Sequence, residues 1–145
     1  MATVELRFSA LPAHVRTARL VAAALARRAG LDEVLLDEVR LAVGEACSRA
    51  VYLHRRYCPE IPVRVVLNDD PPGFEVAVHD QAPGNDPEDE SGALEDLAEA
   101  LELFHSPLPA GVGLAVITGL VDDVHIAAGP AGAVVTMRWP ILVRL

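Results

Sequence analysis

The sequence predicts an α/β protein of two layers, an α+β sandwich in which a mixed, mostly antiparallel sheet carries helices on one face. Three observations predict it. Strand-like segments come in hairpin pairs, two long helical patterns follow one another without a strand between them, and 145 residues are enough to bury one core without staples. A doubly wound parallel sheet would instead need a crossover between successive strands. No internal repeat or linker divides the chain, so residues 1–145 read as a single domain.

The first strand is "TVELRFSA", where apolar and polar residues alternate. Pro12 then stands where a helix can begin, and Val15, Ala18, Ala22, Leu25 and Ala29 recur at helical spacing up to Gly30, a C-terminal cap. This helix contains four Arg and no acid. Asp32 can cap a second, longer helix, which the Cys58-Pro59 step ends.

"IPVRVVLN" and "FEVAVHD", separated by the turn signal "DDPPG", form a hairpin. "QAPGNDPEDESG" is too rich in Pro, Gly and acids to be core, and the acidic helical pattern "ALEDLAEALELF" follows it. Together, residues 82–110 read as a mobile lid. "SPLPAGVGLAVITGL" sets two glycines before an apolar helical run, and "VHIAAGPAGAVVTMRW" closes the fold with a second hairpin.

Charge excludes some function classes. The formal net is −9, from 12 basic and 21 acidic residues, and every basic residue is Arg. A chain with no Lys has no Walker lysine and no Schiff-base chemistry. Between Val65 and Met137 there is no Arg, while fourteen Asp and Glu fall in that span. Such a field repels nucleic acid, and suits a basic protein partner or a phosphate ligand held by backbone amides and a divalent cation, the alternative being that the charges keep an apolar domain soluble. No apolar run is long enough for a membrane span and "MATVELRFSA" lacks a signal pattern, so the expected compartment is the cytoplasm.

Cys47 and Cys58, eleven residues apart on one helix, lie roughly 16 Å from each other at 1.5 Å per residue and cannot form a disulfide. They read as buried free thiols, since two Cys without a C-x-x-C pair make a poor zinc site.

On the long helix, Glu45, Arg49, Tyr52 and Arg56 fall within about 40° of one line, on the shoulder between the apolar face and water. Glu45 and Arg49 are also a favourable i,i+4 pair, worth about 0.2–0.5 kcal/mol on a surface helix. A Glu at a cleft shoulder is a general-base candidate if a substrate hydroxyl comes within reach. Asp80 ends a strand and opens "DQAPG", where it can accept a hydrogen bond from an exocyclic amine beside Gly84. Gly111 and Gly113 precede a helix N-terminus, an anion site by its free amides and dipole.

In order, "LDEVRLAVGEACSRAV", "FEVAVHDQAPGNDP", "PAGVGLAVITGLVDDVHI" and "GAVVTMRW" resemble the successive motifs of the anti-sigma factor serine-kinase family, small bacterial members of the GHKL ATPase superfamily. The resemblance covers about residues 4 to 140. It implies a Bergerat-type ATP-binding fold of the HATPase_c kind, with ATP or ADP as cofactor. It also implies a sigma factor as partner, held away from RNA polymerase, and an anti-anti-sigma partner of the STAS fold that is phosphorylated on serine. A homodimer is the family's habit.

By position, the resemblance puts Glu45 at the catalytic base, Asp80 at the adenine-reading carboxylate, and Gly111 with Gly113 where the phosphate-binding lid turns into a helix. Arg49 stands in the place of the Asn that ligates Mg²⁺, and with five donors and no acceptor it cannot ligate a cation. Ala82 replaces the first Gly of the D-x-G loop. Ala133 and Val134 replace hydroxyl residues, leaving Thr136 as the nearby hydroxyl, and the family's His is displaced to His54. Two outcomes stay open for Arg49: it contacts phosphates directly, or it pairs with Glu45 and fills the pocket. In either case phosphoryl transfer loses its metal, so the expectation is an inhibitor that acts by binding, the alternative being an active kinase.

Overall fold

The computed structural model describes residues 3–69, 73–83 and 117–141. The elements run β1 (Thr3–Phe8), α1 (Pro12–Ala29), α2 (Glu33–Tyr57), β2 (Val63–Asn68), β3 (Gly73–Asp80), β4 (Asp123–Gly129) and β5 (Gly132–Pro140). Residues 117–120 form a helical turn before β4. The expected acidic helix, nearly all of the expected lid at 82–110, and Gly84, Gly111 and Gly113 lie outside the described residues.

The five strands make one sheet of order β1-β2-β3-β5-β4. Every pairing among them is antiparallel, a simpler arrangement than the mixed sheet expected. Alternation along the strands decides what faces the helices. Val65 pairs with Val78, which pairs with Val135; Leu67, Val76 and Met137 make the next row, and Phe74 pairs with Trp139. All of these are buried, so one face of β2, β3 and β5 is core. Their alternates, among them Arg64, Val66, Ala77, His79 and Thr136, project from the opposite face.

Local chemistry sets both helices. Pro12 occupies the first turn of α1, and Gly30 ends it in the left-handed conformation at φ 98°. The Leu31 N–H then reaches back to Ala26 O at 3.0 Å, closing a Schellman turn whose hydrophobic residue is buried. Asp32 caps α2 by accepting from Glu33 N–H at 3.1 Å. The helix stops at Cys58, before Pro59, as a residue preceding proline favours extended backbone.

α1 meets α2 through small residues. Ala18, Ala22 and Ala26 are buried on the first helix and Val43, Ala46 and Cys47 on the second, letting the two pack closely above the sheet. At Gly44 the approach is tightest: a Cβ there would lie 2.7 Å from Arg19 Cδ, so the arginine chain lies across this glycine. On the other flank of α2, Trp139 donates its indole N–H to Glu38 Oε1 at 3.0 Å, tying β5 to the helix. Both cysteines are free and buried. Burial pushes the Cys47 thiol up to about 12.

Candidate functional site

The residues singled out on α2 do not act as one stripe. Tyr52 and Arg56 pair with each other, Nη1 to OH at 3.1 Å, while Arg56 also lies over the Tyr57 ring at 5.6 Å. Glu45 is half-buried, and Arg49 is buried. Rotation about the helix axis separates them, because residues a few tens of degrees apart at the edge of an apolar face fall on opposite sides of the water boundary.

Arg49 turns to Asp80, not to Glu45. Its Nη1 donates to Asp80 Oδ2 at 2.9 Å, and the two side chains are 5% and 1% exposed, a fully desolvated ion pair. Asp80 Oδ1 accepts from Ala82 N–H at 3.1 Å, the closed Asx-type turn that a strand-end aspartate favours. Both carboxylate oxygens are therefore engaged. In place of the expected pairing with Glu45, the guanidinium is paired with the carboxylate that the resemblance sets at the adenine.

Other elements fix the same strand end. Ala133, which the resemblance gives as the replacement of a hydroxyl residue, stands directly across from Asp80 in the β3–β5 register. Gly132, at φ 134°, lies against the Asp80 carbonyl and 2.9 Å from Gln81 Cα measured from where a Cβ would be. Ala82 is buried in the turn. Thr136 pairs with Ala77 and so projects from the sheet face away from α2. The expectation that Thr136 joins Asp80 in holding a cofactor is therefore corrected by strand parity: residues 133, 135, 137 and 139 share the helix face, and 136 does not.

Glu45 keeps a different environment. Burial raises its carboxyl above the ordinary glutamate range, and the Arg19 guanidinium, reaching over Gly44, opposes that rise. A carboxyl raised in the folded state holds its proton longer than in the unfolded chain, so ionising it subtracts stability as the pH rises through the folded pKa. Glu45→Gln is accordingly more stable than the parent at pH 7, and the difference fades below about pH 4, where both forms are neutral. Urea denaturation at the two pH values measures it.

As they stand, these residues do not fit Mg²⁺-ATP. Arg49, at the position the resemblance gives to a metal ligand, has no lone pair to offer a cation, and it is paired with Asp80, the carboxylate expected to read the adenine. Among the described residues no group of three His, Cys, Asp or Glu is placed to hold a metal ion. His54, missed as a site residue in the sequence, is fully buried beside this strand end and bonds to it.

Comparison with known proteins agrees with the architecture. The histidine kinase-like ATPase domain family matches residues 8–139. The serine-protein kinase RsbW of Bacillus licheniformis is 28% identical over 126 residues, covering 85% of this chain and 76% of that protein. Among solved structures, the crystal structure of the RsbU and RsbW domains of a Mycobacterium tuberculosis protein aligns with a TM-score of 0.64 at 17% identity. That alignment covers 95% of this chain and 32% of the longer one, and at this identity it is a likeness of fold.

Proposed function

The chain belongs to the histidine kinase-like ATPase domain family, and from that premise we propose that it is an anti-sigma factor whose grip on its sigma factor does not depend on nucleotide. The observation that carries the reading is the buried Arg49–Asp80 pair. By the resemblance these two positions serve the metal and the adenine; here they are paired with each other. The likeness to a serine-protein kinase of the RsbW type supports a sigma factor as one partner and an anti-anti-sigma STAS protein as the other, with a homodimer as the assembly. No described helix is long and apolar enough to cross a membrane, and we place the protein in the cytoplasm.

Catalysis of phosphoryl transfer is lost on this reading. The charge on a transferring phosphoryl group is normally neutralised by a bound Mg²⁺, and a guanidinium already paired with a buried carboxylate is not free to replace it. Glu45 remains in place as a half-buried carboxyl without the metal that would bring it a substrate.

Calorimetric titration of protein purified without nucleotide tests this. Mg²⁺-ATP produces no binding heat, and the sigma factor binds equally with and without it. Arg49→Asn sets an amide oxygen at the position the resemblance gives to the metal ligand and removes the ion pair from Asp80, and a binding heat appears that the parent lacks. Tight Mg²⁺-ATP binding by the parent, together with serine phosphorylation of a STAS protein, would replace this proposal with the active-kinase reading.

A further inference from the structure

The imidazole of His54 is completely buried, and both of its nitrogens are bonded to backbone. Nδ1 lies 2.7 Å from Ile61 O, and Nε2 lies 2.9 Å from Gln81 N. A carbonyl oxygen only accepts, so Nδ1 must carry the proton; the Gln81 amide only donates, so Nε2 must be bare. The two bonds therefore fix one neutral tautomer, and an imidazolium, a donor on both sides, fits neither the Gln81 amide nor a fully buried position.

What the imidazole connects gives it a role. Ile61 lies in the connection from α2 to β2, and Gln81 directly follows Asp80. Arg49 and His54 thus hold the end of β3 from the same helix at two points, one through the Asp80 side chain and one through the next backbone amide. Asp80 in turn accepts from Ala82 N–H. Releasing the Gln81 amide frees the peptide on which the Asp80–Ala82 turn is built, while leaving Arg49 where α2 puts it.

We infer that His54 is a positioning residue for this site: its Nδ1–H tautomer sets the Asp80–Gln81–Ala82 turn so that the Asp80 carboxylate meets Arg49. It acts through the Gln81 amide. A side chain in its place must donate to one backbone group and accept from another across the width of a ring. A carboxamide has that capacity, and an aliphatic chain of similar volume does not.

NMR on the intact protein tests the inference without nucleotide or partner, so its failure is distinct from failure of the nucleotide-independent reading. In protein labelled with ¹⁵N in the imidazoles, His54 shows its proton on Nδ1. In His54→Leu the Ala82 amide exchanges with solvent about tenfold faster or more, and the Asp80 side-chain carboxyl resonance shifts, while α1 amides keep their protection. His54→Gln returns both signals toward the parent. Three results would overturn the inference: a proton on Nε2 in the parent, unchanged Ala82 exchange and Asp80 resonance in His54→Leu, or a Gln variant no different from the Leu variant. Should His54→Leu fail to fold, the parent tautomer and the Gln variant still decide it.

Discussion

Asp80→Ala lowers the stability of the folded protein by about 3–5 kcal/mol, because it removes the carboxylate from a buried, hydrogen-bonded ion pair with Arg49. The magnitude follows from where the pair sits. Both side chains are at or below 5% exposure, so neither can turn to water when its partner is removed. The exposed pairs of this protein give the contrast. Arg40 with Asp37 is as short, at 2.7 Å, but the carboxylate is 87% exposed, and breaking such a pair costs about 0–1 kcal/mol. Urea denaturation of Asp80→Ala and Asp37→Ala in parallel measures the difference. Equal losses would mean that water reaches the Arg49 site.

Removing both charges separates the worth of the pair from the penalty of orphaning one member. In Arg49→Met with Asp80→Asn, the asparagine oxygen still accepts from Ala82 N–H and neither charge of the pair is left buried. The double variant therefore loses less than the sum of the singles, with a coupling of about 0.5–3 kcal/mol. A buried pair of this kind contributes little net stability over a neutral replacement. What it contributes is definition: it fixes the end of β3 against α2 in one arrangement.

The helices and hairpins were legible in the sequence because their signals are local. Pro12, Gly30, Asp32 and Pro59 mark helix ends through their own backbone preferences, and the strands alternate over a few residues each. Arg49 was legible as an unusual residue and Asp80 as a site carboxylate, but their bond joins positions 31 apart, and no local pattern encodes it. Thr136 was misplaced for a related reason. Its chemistry suited the site, yet its face of the sheet depends on Ala133 standing opposite Asp80, a register set by the whole β3–β5 ladder. His54 looked like a residue one step out of place. One step on a helix is about 100° of rotation, which here carries the ring to the backbone at the sheet's end.

The same strand end makes Gly132→Ala the other substitution with a large effect, a loss of about 2–6 kcal/mol. Two costs combine there. The backbone has φ 134°, a region that side chains rarely adopt, and holding a non-glycine residue in such a conformation costs about 1–3 kcal/mol. A Cβ would also overlap the Asp80 carbonyl oxygen and crowd Gln81 Cα, and relieving an overlap with backbone requires strand movement at about 1–3 kcal/mol. Neither cost applies at Gly119, whose added Cβ meets nothing within 4 Å among the described residues, so Gly119→Ala is the matched control and stays close to the parent. The damage at Gly132 is directional as well as large. Its neighbours are the peptide that carries Asp80 and the residue bonded to His54, so the β3 end separates from α2 before the helices lose their own packing. Hydrogen exchange on Gly132→Ala reads this order: Gln81 and Ala82 amides lose protection first, while α1 amides remain protected until global unfolding.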